Sequence, residues 1–229
     1  LRYDRNSQAA NAMVLYMGLC EPQHEETVLR NLVDDIRSRG NALTAGDVGY
    51  RYVVQALSDR GASDVLFDMN SRYDVPGYGY QLVSGETSLA ESWQSKDYLS
   101  HNHCMLGHLY SWLFSGIGGI SQTPSSVAYR EIVIDPQVVG DIREARTSFR
   151  SPYGLVRSEW RSGKDEYRQS VEIPANTTAL VCLPTDDPSA VLESGLPLGE
   201  RKEIAVEKRE KGRLVLRVGS GSYDFRVKR

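Results

Sequence analysis

Apolar positions recur at helical spacing through the first half of the chain. Between Gln8 and Leu19, the residues Ala9, Ala12, Met13, Tyr16 and Met17 share a helical face, and Gly18 and Pro22 close the segment. A second helix is predicted over Glu25 to Arg39, with Val28, Leu29, Leu32, Val33 and Ile36 on one side and Gly40-Asn41 as its stop. A third, capped by Thr44 or Asp47, carries Tyr50, Val53, Val54 and Leu57 up to Gly61. A fourth starts at Ser63 and runs to Met69, and a fifth is expected over Asn102 to Ile117. Between the fourth and fifth, Asp74 to Ser100 shows no period, and a loop of that length inside a compact domain is usually functional.

The period changes near residue 125. Short runs at Glu131 to Asp135, Ala145 to Ser151, Leu155 to Arg161, Tyr167 to Ile173, Thr177 to Leu183, Ile204 to Arg209 and Arg213 to Val218 read as strands. Turn residues such as Ser-Pro-Tyr-Gly, Ser-Gly-Lys-Asp and Pro-Ala-Asn separate them, which predicts an antiparallel β-sandwich. The polar, proline-containing stretch 121–126 is the expected linker, giving domains 1–125 and 126–229.

Composition narrows the possibilities mainly by exclusion. The chain has 229 residues with 40% hydrophobic and 25% charged, ordinary values for a globular protein. Its 27 basic and 30 acidic residues leave a net charge of −3, without the basic stripe that nucleic acid requires, so no nucleic-acid partner is expected. No window supplies the roughly 18–20 apolar residues of a membrane span, and no membrane partner is expected. Cys20, Cys104 and Cys182 lie far apart and outside any zinc-ligand spacing, so free thiols are expected. The chain opens Leu1-Arg2-Tyr3-Asp4 without an initiator Met, which suggests a fragment of a longer protein.

Candidate chemistry concentrates between Asp74 and His103. Tyr73, Tyr78, Tyr80, Trp93 and Tyr98 interleave there with Asp74, Glu86, Glu91 and Asp97, and His101 and His103 close the stretch. Aromatic faces beside carboxylates suit a sugar, whose C–H faces stack on rings while its hydroxyls need directional polar partners. Carboxylates and imidazoles are also the usual general acids and bases. No metal-ligand motif appears, and neither a metal nor another cofactor is expected. Gly77-Tyr78-Gly79-Tyr80 lacks the strand–glycine loop–helix setting of a nucleotide site.

The strings Gly79-Tyr80, Gly85-Glu86-Thr87-Ser88-Leu89-Ala90-Glu91-Ser92-Trp93 and Asn102-His103-Cys104-Met105-Leu106-Gly107-His108 resemble bacterial α-L-rhamnosidases of glycoside hydrolase family 78. Gln8-Ala9-Ala10-Asn11-Ala12 and Gly46-Asp47-Val48-Gly49-Tyr50 upstream resemble it too, as do Ser151-Pro152-Tyr153-Gly154 and Ile173-Pro174-Ala175-Asn176-Thr177-Thr178-Ala179 downstream. The resemblance implies the last helices of an (α/α)6 catalytic barrel followed by the C-terminal β-sandwich. It implies an inverting glycosidase that releases terminal α-L-rhamnose, with a rhamnose-containing carbohydrate as substrate partner. Glu91, in the family's Glu-x-Trp position, would be the general base. His103 would contact the sugar, and Trp93 and Tyr80 would line the pocket. Glu86 is the rival carboxylate and a further substrate-binding candidate. The general acid would lie upstream, so the remainder of the catalytic domain is an expected partner and the isolated chain is expected to be inactive. Ser92 stands where many members carry Arg.

An inverting base activates a water on the face opposite the leaving group, so the two carboxylates stand about 6.5–9.5 Å apart. Such a base belongs near hydrogen-bond donors rather than in a dry pocket. Two other functions stay open at this point: another inverting (α/α)6 glycosidase, and a non-catalytic carbohydrate-binding fragment. The compartment is also open, with a periplasmic or extracellular setting favoured by the family's substrates. A partial barrel is further expected to leave Leu29, Val33, Ile36, Val53 and Leu57 uncovered.

Overall fold

The computed structural model describes residues 3–229, so Leu1 and Arg2 of the opening string lie outside the described residues. The chain forms two compact units, 1–112 and 113–229. They meet before the expected division at 125/126, because Ile120–Gln122 already forms a strand of the second unit, paired with Glu131–Ile134 across the stretch read as a linker.

The first unit is helical. Ser7 caps α1 (Gln8–Tyr16) by accepting from the Ala10 N–H. The segment then turns at Gly18, whose φ of 64° a side chain rarely adopts. In α2 (Glu25–Ser38) the buried residues Val28, Leu32 and Ile36 recur every four positions. Glu25 and Glu26 in the first turn and Arg37 in the last suit the helix dipole. Helix α3 (Asp47–Asp59) buries Tyr50, Val53, Val54 and Leu57. It lies so close to α1 that a Cβ on Gly49 would come within 2.8 Å of the Ala9 methyl. Helix α4 (Ser63–Asn70) adds Val65, Leu66 and Met69 to the core.

This packing corrects one expectation. Ile36, Val53 and Leu57 are fully buried inside the unit, covered by its own helices, and Leu29 and Val33 are half-buried. Full burial of such a side chain contributes about 1.5–3 kcal/mol. The open apolar residues instead include Leu19, Val48, Leu82, Val83, Tyr98 and Tyr110.

Two helical expectations change. The aperiodic stretch contains a short helix, α5 (Tyr78–Val83). The fifth expected helix, Asn102 to Ile117, is broken into a 3-10 turn at Cys104–Leu106, a single turn α6 (Leu109–Ser111) and a π-helical stretch Trp112–Ile117. Gly107 and Gly116 weaken helical continuity there. The fully buried Leu106, and Trp112 donating to Ser63 Oγ at 2.9 Å, pull the chain inward at successive points.

The second unit holds β1 (Ile120–Gln122), β2 (Glu131–Ile134), β3 (Glu144–Ser151), β4 (Gly154–Ser162), β5 (Glu166–Ile173), β6 (Thr178–Leu183), β7 (Val191–Glu193), β8 (Leu196–Pro197), β9 (Ala205–Glu210), β10 (Arg213–Val218) and β11 (Gly221–Lys228). One sheet has the order β1-β2-β6-β10-β9 and the other β3-β4-β5-β11-β7-β8. Pairing is antiparallel except for β2 with β6, which run parallel because the chain crosses through β3–β5 of the other sheet between them. Alternation places Val156, Trp160, Tyr167, Val171, Phe225 and Val227 of one sheet and Ile132, Ile134, Val181, Leu214 and Leu216 of the other in the buried core. The expected strands stop at Val218, whereas β11, alternating Tyr223, Phe225 and Val227, pairs along the whole of β5. The sequence therefore folds as a helical region followed by a two-sheet β-domain, the expected order of helices then sandwich.

Candidate functional site

The aperiodic stretch is shaped by side chains rather than by a ladder. Helix α5 ends at Val83, and Gly85, at φ 88°, reverses the chain. Gln81, buried on α5, clamps the returning segment: its Nε2 donates to Ala90 O at 3.3 Å and Ser92 O at 3.0 Å, and its Oε1 accepts from Ala90 N at 3.3 Å. These bonds bracket Glu91 on both sides. The opposite limb of the loop is tied back at three levels. His103 N donates to Leu89 O at 2.7 Å, Glu91 N donates to Ser100 O at 2.8 Å, and Ser88 Oγ donates to His101 O.

Each expected site residue has a definite setting. Glu91 is exposed, and its Oε2 accepts from the Ser100 N–H at 3.2 Å, the donor-facing position a base requires. Trp93 is 4% exposed and donates its indole N–H to Ala45 O at 2.7 Å. Its ring meets Tyr50 and Tyr78 edge-on with centroids 4.9 and 5.1 Å away. Burial holds the Tyr50 hydroxyl far above its ordinary value and pushes Tyr78 up to about 12, so both rings stay neutral around the indole. Gln8 steadies the segment that supplies the acceptor: its Nε2 donates to Ala42 O at 3.0 Å and its Oε1 accepts from Thr44 N at 3.1 Å. His103 directs Nε2 toward Asp47 Oδ2 at 3.4 Å. Tyr80 sits half-buried on α5. Glu86 pairs with His101, Nδ1 to Oε2 at 2.8 Å.

The structure thus brings Glu91 and Trp93 onto one open cleft of about 490 Å³, with Thr44, Gly46, Pro76 and Lys96 among its other walls. His103, Tyr80 and Glu86 do not line that cleft. Two positioning residues were missed in the sequence. Asp47, expected only as a possible cap, lies in the first turn of α3 behind Gly46 and turns its carboxylate to His103; its place in the Gly46–Tyr50 string was the available signal. Gln81 had no signal beyond its closeness to Gly79-Tyr80. Among the described residues no group of three or more His, Cys, Asp or Glu is arranged to hold a metal ion, and no helix is long and apolar enough to cross a membrane. All three cysteines are free, with Cys20 and Cys182 buried and Cys104 exposed.

The chain is thus a helical unit whose last loop presents a carboxylate and an indole to a cleft, followed by a two-sheet β-unit. Comparison with known proteins identifies the family. Residues 2–117 match the bacterial alpha-L-rhamnosidase 6 hairpin glycosidase domain, and residues 119–195 match the bacterial alpha-L-rhamnosidase C-terminal domain. The chain belongs to the bacterial alpha-L-rhamnosidase family. It is 29% identical over 97% of its length to an alpha-L-rhamnosidase of Streptomyces avermitilis, and 25% identical over 97% to one of Formosa agariphila. It spans 22% and 25% of those relatives' lengths. Among solved structures, the Streptomyces avermitilis alpha-L-rhamnosidase complexed with L-rhamnose superposes with a TM-score of 0.87 at 28% identity, covering 97% of this chain and 22% of that one. The enzyme from Dictyoglumus thermophilum gives 0.86 at 28% identity, covering 97% and 25%. That from Aspergillus terreus gives 0.79 at 27%, covering 97% and 24%.

Proposed function

We propose that this chain is the C-terminal portion of an inverting α-L-rhamnosidase, contributing the general base and part of the sugar pocket. The observation that carries the reading is Glu91: an exposed carboxylate in the Glu-x-Trp position, steadied by a backbone N–H and bracketed by the Gln81 clamp. Glu91 takes a proton from a water as that water attacks the anomeric carbon of a terminal rhamnose. The general acid that protonates the departing oxygen comes from the helical domain upstream. Trp93 forms part of the apolar wall, while His103, oriented by Asp47, and Tyr80 stand outside this cleft and meet the sugar only in the pocket that the upstream helical domain completes. We assign the barrel tail to the residues before about 117, where the family match ends, and the β-domain to those after it.

The stereochemical course tests this. The protein carrying this chain, given an aryl α-L-rhamnoside, is expected to release β-L-rhamnose first, read by proton NMR before mutarotation. Release of the α-anomer first would overturn the inverting mechanism, and no cleavage of the rhamnoside beside cleavage of another glycoside would overturn the substrate.

A further inference from the structure

The loop carrying Glu91 is closed across its two limbs by backbone bonds, yet only one pair of charged side chains joins those limbs: Glu86 on the outgoing limb and His101 on the returning one, 2.8 Å apart. The Glu86 side chain is 11% exposed while that of His101 is 40% exposed. A carboxylate so withdrawn from water needs a partner, and removing that partner leaves a buried charge uncompensated. The bond falls beside the points that fix Glu91. Ser88 Oγ donates to the carbonyl of His101 itself, and Ser100, the next residue back, provides both the carbonyl that receives Glu91 N–H and the N–H that reaches Glu91 Oε2.

We propose that Glu86 and His101 act as a positioning pair for Glu91, holding the two limbs of its loop together while His101 is protonated. This deepens the rhamnosidase reading and rests on Glu91 as its base. Glu86 is then neither a sugar ligand nor a rival base, because its carboxylate is committed to the imidazolium. The charged groups that face His101 are Glu86, whose hydrogen bond is the main cause of its raised pKa, and Asp97 on the intervening turn, which adds to it. The sign follows. Below the raised value His101 is charged and the limbs are clasped. As pH climbs through it the imidazole becomes neutral, Glu86 loses its counter-charge, and Ser100 drifts from Glu91.

Two readouts separate this pair from the wider reading. In the protein carrying this chain, His101→Gln is expected to lower kcat about tenfold to a hundredfold below the His101 titration, the scale of a small misplacement of a reacting group, with KM little changed. It should also abolish an alkaline limb of kcat that the wild type shows. Glu86→Gln keeps a hydrogen-bonding isostere and should move that limb to lower pH. Independently of activity, hydrogen exchange of the Glu91, Ser100 and His103 amides, corrected for intrinsic rates, should lose protection in the wild type as pH rises through the same range. In His101→Gln protection should be low throughout. Unchanged protection and an unchanged pH profile in both variants would overturn the pair. Loss of protection in an otherwise inactive wild type would keep the pair and overturn Glu91's role instead.

Discussion

Trp93 and Trp160 are buried alike, 4% and 3% exposed, and each donates its indole N–H to a backbone carbonyl at 2.7 Å, Ala45 O for one and Ile117 O for the other. Their frames differ. Trp160 stands two residues before the end of β4, where ladders to β3 and β5 fix the backbone on both sides whatever the side chains are. Trp93 stands in a segment with no regular structure, whose backbone is satisfied by Gln81 and by the facing limb of the loop. A ladder distributes positional information over many residues. A loop built by side chains concentrates it in a few, and this is where the chain carries Glu91, the proposed base.

That contrast can be broken at several points. The largest effect belongs to the tryptophans. Trp93→Ala and Trp160→Ala should each cost about 3–5 kcal/mol in denaturant unfolding. At temperatures where both variants remain folded, only Trp93→Ala should also suppress rhamnoside turnover. Equal turnover in the two would deny the loop its special status.

Next come two buried glutamines. Gln81→Leu strands the Ala90 N–H and C=O and should cost about 1–3 kcal/mol, with kcat falling more than KM changes. Gln169 in β5 has an amide nitrogen without a partner among the described residues and only the Tyr167 hydroxyl, 3.1 Å away, on its oxygen. Gln169→Leu strands the buried Tyr167 hydroxyl but also removes an amide nitrogen that already lacks a partner, so it should cost less than Gln81→Leu and leave kinetics untouched.

The smallest effect is on the surface of the β-domain. Arg217 bonds Glu131 at 2.7 Å and Glu207 at 2.9 Å, holding both carboxyls below their ordinary range. The stability they contribute is present above the ordinary carboxylate value and is lost as pH falls through the lowered ones. Arg217→Ala should lower Tm slightly at neutral pH, and its melting curve should merge with that of the wild type in acid.

How far such features were legible in the sequence follows the same division. The helices α1–α4 and most long strands could be read because each buries one face, and a periodic face leaves a periodic pattern. Strand β11 carried the same signal in Tyr223, Phe225 and Val227 and could have been read. Helix α5 and the broken segment after His103 could not. There the apolar residues answer to individual anchors, such as Tyr78 donating to Leu106 O or Trp112 to Ser63, not to a period. At the candidate site, the nearness of Glu91 to Trp93 was legible from the string that carries them, whereas His103, read from the next string, stands outside their cleft. Gln81 and Asp47 were not marked as site residues, because their roles depend on bonds to chain that lies 9 and 56 positions away.

The central claim, that Glu91 is the base this loop exists to hold, meets its most direct test in the turnover of an aryl α-L-rhamnoside by a Glu91→Gln variant of the protein carrying this chain. The account predicts a fall in kcat of about 10²–10⁴-fold, the usual worth of a positioned base, with rhamnose still bound. Turnover near the wild-type value would contradict it.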